Sequence, residues 1–208
     1  MTDKKIIVLL AVALIAALVG GKIILDSRQS AIAPEVDSSK SNAIKEVSIQ
    51  QEYPQLPKNN TIIKVSASEA IDRLRGGDGV VFLGFKECPW CQKLLPIIDE
   101  AAAAEDVTVY YLDIRKLRED NTAEYRELAS ILAPFLPKDE NGDVRITVPD
   151  VSFVSNGEII DRHEMESVTD EEKTPDTYWT EERKVRAVER FKQIISQMKQ
   201  LNKGDEEL

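Results

Sequence analysis

Two hydrophobic rhythms divide this chain. Residues 1–25, MTDKKIIVLLAVALIAALVGGKIIL, turn apolar at Ile6 and stay so to Leu25, interrupted only by Lys22. As a helix at ~1.5 Å per residue, residues 6–25 would measure about 30 Å, the thickness of a bilayer's hydrocarbon core. Nothing in the run offers the polar face that a surface helix needs. The expectation is a transmembrane anchor. A cleaved signal segment is the alternative, because Ala31-Ile32-Ala33 has the A-x-A form of a cleavage site, although it lies several polar residues past the apolar run. From Asp26 to Asn60 the pattern is polar, aperiodic and broken by Pro34, Pro54 and Pro57. Residues 26–60 are therefore expected to be a flexible linker, which as a coil would reach about 30–35 Å. The alternative for part of it is a short helix over Ala43 to Gln51 packed on the domain.

From residue 61 the rhythm alternates. TIIKV (61–65) is a short β-branched run. SASEAIDRLRGG follows, with Ser66 and Glu69 spaced as a capping box, Ile71 and Leu74 on one face and Gly76-Gly77 as a stop. VVFLGF (80–85) is apolar throughout, as a strand covered on both faces would be. Residues 89 to about 105 predict a helix, VTVYYLD (107–113) a strand, and TAEYRELASIL (122–132) a helix with Leu128, Ile131 and Leu132 inward. VSFVS (151–155) and EIIDRHE (158–164) flank Asn156-Gly157, a two-residue hairpin signal. Residues 180–204 place Val185, Val188, Phe191, Ile195 and Met198 on one helical stripe and end at Gly204. The order β-α-β-α-β-α-β-β-α predicts an α/β fold, a mixed central sheet flanked by helices. The domain is expected over residues 61–202, followed by a polar tail at 203–208.

Charge narrows the choice of partner. A net charge of −10 and a pI near 4.8 oppose non-specific binding to nucleic acid or anionic lipid, since the phosphate term would be repulsive. A protein or a small thiol is the expected partner. Lys4 and Lys5 modestly outweigh Lys22 and Arg28 across the apolar run, which favours a cytoplasmic N-terminus and a domain outside the cytoplasm. There, disulfides persist.

The chemistry is concentrated in GFKECPWCQKLLPIIDEAA, residues 84–102, which holds both cysteines of the chain. Cys88 follows a predicted buried strand and opens a predicted helix, so its sulfur would face unpaired backbone N–H groups that favour the thiolate. Pro89 suits the first helical turn. Cys91 lies one turn deeper, spaced to attack a mixed disulfide formed at Cys88. Zinc is the first competitor for such a pair. With no third cysteine and His163 as the sole histidine, a complete site would have to borrow carboxylates, and no metal or cofactor is expected. A structural disulfide or an ordinary pair of core cysteines is the other alternative, although so short a loop adds little by restraining the unfolded chain.

CQKLLPIIDEAA resembles the active-site helix of the thioredoxin family, including Pro96 five residues after the second cysteine. ITVPDVSFVSNGEII is similar to that family's later stretch, where a cis-proline faces the cysteines and a short hairpin follows. The resemblance covers roughly residues 61–202 and implies a thioredoxin-like fold, with Cys88 attacking, Cys91 resolving, Pro149 as the cis-proline and Val148 presenting its backbone to an extended substrate. Trp90, between the cysteines, is expected to be exposed and to contact substrate, whereas Tyr178 and Trp179 are expected to pack. Three departures stand out. The dipeptide Pro-Trp is closer to that of glutaredoxins and periplasmic oxidases than to that of thioredoxins. The family's buried aspartate falls on Phe82; Glu87, next to Cys88, is expected to be simply solvated, with substitution for that aspartate as the alternative. Residues 114–147 are longer than the usual connection, as an insertion that shapes a groove or elaborates the packing. His163, in the charged run DRHEME, is expected at a solvated edge with no role.

The resulting expectation is a single-pass, membrane-tethered, extracytoplasmic thiol–disulfide oxidoreductase, with secretion after signal cleavage as the alternative. Its expected partners are thiols or disulfides of exported proteins and a membrane redox partner, with the protein itself a monomer. The sequence is also similar to bacteriocin-transport accessory proteins. The rival reading is a redox-silent binding or chaperone module, for example an accessory to peptide or bacteriocin export.

Overall fold

The computed structural model describes residues 48–138, 140–163 and 174–205. The expected anchor, most of the expected linker and the last residues of the tail lie outside the described residues. Among the described residues, no helix is long and apolar enough to cross a membrane.

Five strands form one mixed sheet in the order β1-β3-β2-β4-β5. They are β1 (Ile62–Lys64), β2 (Gly79–Gly84), β3 (Val109–Asp113), β4 (Asp150–Ser155) and β5 (Glu158–His163). The first three run parallel, and β4 and β5 antiparallel to their neighbours. Every residue of the central β2 is buried, which accounts for its unbroken apolar run. Alternate residues of β2 serve opposite faces. Val80 and Phe82 join a core with Tyr111, Phe153 and the helices α3 (Pro89–Ala104) and α7 (Glu181–Asp205). Val81 and Leu83 join a second core with Leu112, Val154 and the helices α2 (Ala67–Gly76) and α5 (Ala123–Leu132).

Local chemistry sets the element ends. Ser66 and Glu69 form the expected capping box at the start of α2. Asn156 and Gly157, with φ of 50° and 77°, make the expected hairpin turn, and Gly157 N–H donates to Gly77 O at 2.8 Å. A Cβ at Gly157 would lie 2.3 Å from Arg75 O, so only glycine fits both the conformation and the space. Asp99 of α3 is buried and accepts from Thr61 N at 2.7 Å and Thr61 Oγ1 at 2.8 Å. That bond fastens the helix carrying the cysteines to the start of β1.

The structure departs from the sequence reading in four places. Residues 48–60 are not linker. Ser48 caps a one-turn helix α1 (Ile49–Glu52), and Tyr53 and Leu56 are buried in the first core. The segment 114–147 contains two helices rather than one, α4 (Arg115–Glu119) and α5, followed by a 3-10 turn at Ala133–Phe135. A further one-turn helix, α6 (Pro175–Tyr178), precedes α7. On α7, Val188, Phe191, Ile195 and Met198 point inward together with Ile194, but Val185 is 63% exposed and lies off the buried stripe.

Candidate redox site

Cys88 is the N-cap of α3, in extended backbone geometry, with Pro89 at the helix's first position. Its Sγ accepts a hydrogen bond from Cys91 N at 3.2 Å, as an N-cap oxygen would from a helix N–H. The two cysteines are free thiols with unequal surroundings: Cys91 is fully buried and Cys88 retains 6% exposure. The Cys91 side chain's hydrogen bond lowers the Cys88 pKa to about 7, aided by the N–H groups of Cys91 and Trp90 and by the charge of Arg118, against the opposing effect of burial. At Cys91 burial acts first and the Cys88 sulfur second, and both push the thiol above its ordinary value. The arrangement makes Cys88 the more readily ionised sulfur and holds the proton on Cys91.

Gly84, at the end of β2, gives the pair its room. A Cβ there would lie 3.2 Å from Cys91 Sγ and 2.7 Å from Phe82 Cε1. Phe82 fills the space between the sheet and the cysteines with an aromatic ring and no titratable group.

Of the other sequence-predicted residues, Val148 is brought beside Cys88. The Val148–Pro149 peptide is cis, and Val148 O lies 3.9 Å from Cys88 Sγ. Trp90, Val148 and Pro149 share an open groove of about 780 Å³ with Pro134, Phe135 and Arg162. Trp90 is half-buried rather than exposed, its ring edge-on to that of Tyr178 at 5.5 Å. Tyr178 and Trp179 are buried as expected. Glu87 faces away from the pair into an ion pair with Arg115 at 2.9 Å. Among the described residues, no cluster of three or more His, Cys, Asp or Glu side chains could hold a metal.

Several contributors were not apparent in the sequence. Part of the 114–147 segment reaches the groove: Phe135 is 43% exposed on its wall. Arg162 of β5 donates to Phe135 O at 2.9 Å and pairs with buried Asp150, which ties that wall to the floor. The pairing of the charged residues could have suggested this, but their separation gives no local signal. His163 is not a solvated edge residue. Its ring packs on Trp179 and Phe191, both ring nitrogens are buried without a hydrogen-bond partner, and burial followed by the charge of Arg190 lowers its pKa to about 4.

No protein-family model matches the chain, and no solved structure matches it significantly.

Proposed function

We propose that this chain is a thiol–disulfide oxidoreductase with a thioredoxin-like fold. The observation that carries the reading is the asymmetry of the pair: Cys88 Sγ at a helix N-terminus beside Val148 O, and Cys91 buried one turn below. The sheet order and the cis peptide at Pro149 support it. In the first step the Cys88 thiolate attacks a substrate disulfide, forming a mixed disulfide and releasing one substrate thiolate. In the second, Cys91 attacks Cys88 Sγ, the bond to the substrate breaks, and the second substrate sulfur leaves with its electron pair. The enzyme pair is oxidised by two electrons and the substrate is reduced; the reverse sequence donates a disulfide. The backbone of Val148 and the walls offered by Trp90 and Pro149 would hold the substrate chain.

More particularly, we assign the protein to the outer face of a cell membrane, held by residues 6–25, where it exchanges electrons with exported proteins and a membrane redox partner. The apolar length of that segment and the two lysines before it support the assignment.

The test is redox equilibration of the full-length chain in glutathione buffers, with the Cys88–Cys91 state read by thiol trapping and mass spectrometry. A reversible intramolecular disulfide is expected, with a potential nearer the thioredoxin value of about −270 mV than the strong-oxidant value of about −120 mV. The reason is the Cys88 pKa of about 7, which stabilises the reduced form far less than the value of ~3.5 found in strong oxidants. Failure to form that disulfide reversibly would refute the reading. It would favour the binding module, for which the exposed Phe135 on the groove wall is the supporting observation.

A further inference from the structure

A second cavity, of about 240 Å³, lies against the first half of α7. Arg183, Arg186 and Arg190 line it, spaced three and four residues apart, so that one face of the helix carries all three guanidiniums. In a chain of net charge −10, this grouping sets a local positive field against the general negative one. Two of the charges are lightly committed. Arg186 pairs with Glu182 on its own helix and Arg190 with Asp161 of β5 at 3.8 Å, and both pairs are exposed to solvent. Exposed pairs of this kind are weak and exchange readily for another anion. Arg183 is held more firmly. Its Nη1 donates to Tyr178 O at 3.0 Å, and its guanidinium lies 4.3 Å over the Tyr178 ring, which fixes one positive charge at the cavity wall.

The rest of the wall is short of acceptors. Trp179 is 5% exposed, and its Nε1–H is buried without a hydrogen-bond partner. His163 also lines the cavity, and both its ring nitrogens are in the same condition. A buried indole N–H usually finds a partner, and a neutral imidazole has one N–H to donate. Two unanswered donors bordering one cavity, beside three guanidiniums, call for an acceptor that the described residues do not supply. No carboxylate is among the described residues that line it, which argues against a cation. Phe191 and Ala187 complete the lining with apolar surface. At about 240 Å³ the cavity falls just below the usual range of ligand pockets, so its occupant is compact.

We propose that this cavity binds a small organic anion, a carboxylate on a flat apolar body the size of a single ring. The carboxylate accepts from the forked N–H groups of Arg186 and Arg190, which match its geometry, and from Trp179 Nε1–H. The apolar body lies against Phe191 and Ala187. The site is separate from the cysteines without being remote: Tyr178, held by Arg183, meets the Trp90 ring edge-on at 5.5 Å, and His163 borders the redox groove as well. The inference does not depend on the oxidoreductase reading.

The test follows the two indole N–H resonances of the isotope-labelled full-length chain in an uncharged detergent, with the Trp179 signal identified by its loss in Trp179→Phe. Benzoate should shift that signal saturably and move the Trp90 signal much less. Benzamide, which keeps the shape without the charge, should bind at least about 10-fold more weakly. Inorganic phosphate, which keeps the charge without the ring, should also bind more weakly than benzoate. Replacing both exposed arginines, Arg186→Gln with Arg190→Gln, should weaken benzoate by about 10-fold or more, with the resonances of the rest of the chain unchanged. The absence of a saturable shift with benzoate would overturn the proposal and leave the cavity to water. Equal binding of benzamide, or wild-type affinity in the double variant, would refute the part given to the arginines. Equal binding of phosphate would refute the part given to the apolar wall. The comparison of benzoate with benzamide uses the wild-type chain alone, so it decides the matter even if the variant fails to fold.

Discussion

The Cys88 titration tests the site at the point where its chemistry begins. Its pKa lies near 7 against an ordinary 9.0, a difference worth about 2.7 kcal/mol in favour of the thiolate. At pH 7 about half of Cys88 is then ionised, against about one per cent of an ordinary thiol. Nucleophilicity falls with basicity with a Brønsted slope of about 0.4–0.5, so each thiolate is roughly 6- to 10-fold less reactive. The net expectation is an attack on a small uncharged disulfide about 5- to 8-fold faster than that of an ordinary thiol at pH 7, and slower than it above pH 10. The largest cause is the hydrogen bond from the Cys91 side chain. Cys91→Ala should therefore raise the midpoint, but not to 9.0, because the N–H groups of residues 90 and 91 and the charge of Arg118 remain. Cys91→Ser, which keeps a donor, should stay closer to the wild type. The assay is the initial rate of reaction with bis(2-hydroxyethyl) disulfide against pH, with mass spectrometry to confirm the modified sulfur. A wild-type midpoint near 9, or no movement in Cys91→Ala, would refute the account.

Two stability predictions follow from buried groups. His163 has a pKa near 4 against 6.5, so between those values the unfolded chain binds more protons than the folded one and stability falls as pH falls, by about 3 kcal/mol in all. Urea unfolding of wild type and His163→Phe at pH 7.5 and pH 4.5 separates this from carboxylate titration: the variant should lose less stability on acidification, and equal losses would sink the assignment. A chain beginning at Asn60 discards Tyr53 and Leu56, both buried. At about 2–5 kcal/mol for each large core side chain it should melt far below the full-length protein or fail to fold, as followed by circular dichroism. An unchanged melting temperature would mean that the segment contributes nothing to the core.

The parts of this fold that were legible in the sequence are those whose burial is decided locally. VVFLGF announces a covered strand because both faces must be apolar, and Asn156-Gly157 announces a turn because its two residues alone satisfy the backbone. Cys88 was legible for the same reason: a strand end, a cysteine and a proline define a helix N-terminus without reference to anything distant. Pro149 was not legible in that way. Its place opposite Cys88 depends on how β4 lies beside β2, and the expectation came from resemblance. His163 shows the converse failure. The run DRHEME looks like a solvated edge, but Phe191 and Trp179 close over the ring from elements beyond the reach of local pattern.

The segment QEYPQLP shows why a polar, proline-broken stretch need not be a linker. Its apolar residues, Tyr53 and Leu56, fall three apart with a proline between them, too few to set up any period. Yet each occupies the core, and the prolines that hide the pattern also limit the chain's freedom, lowering the entropic cost of docking it. The consequence reaches the site. The strand position of Phe82 carries no carboxylate, whereas the folded chain pairs Glu52, from ahead of the first strand, with Lys64 on the same level of the sheet. The parallel strands β1, β3 and β2 hold Lys64, Tyr111 and Phe82 level with one another. Lys64 at the edge of that row lets Glu52 approach from outside the sheet, where a short N-terminal segment can reach it.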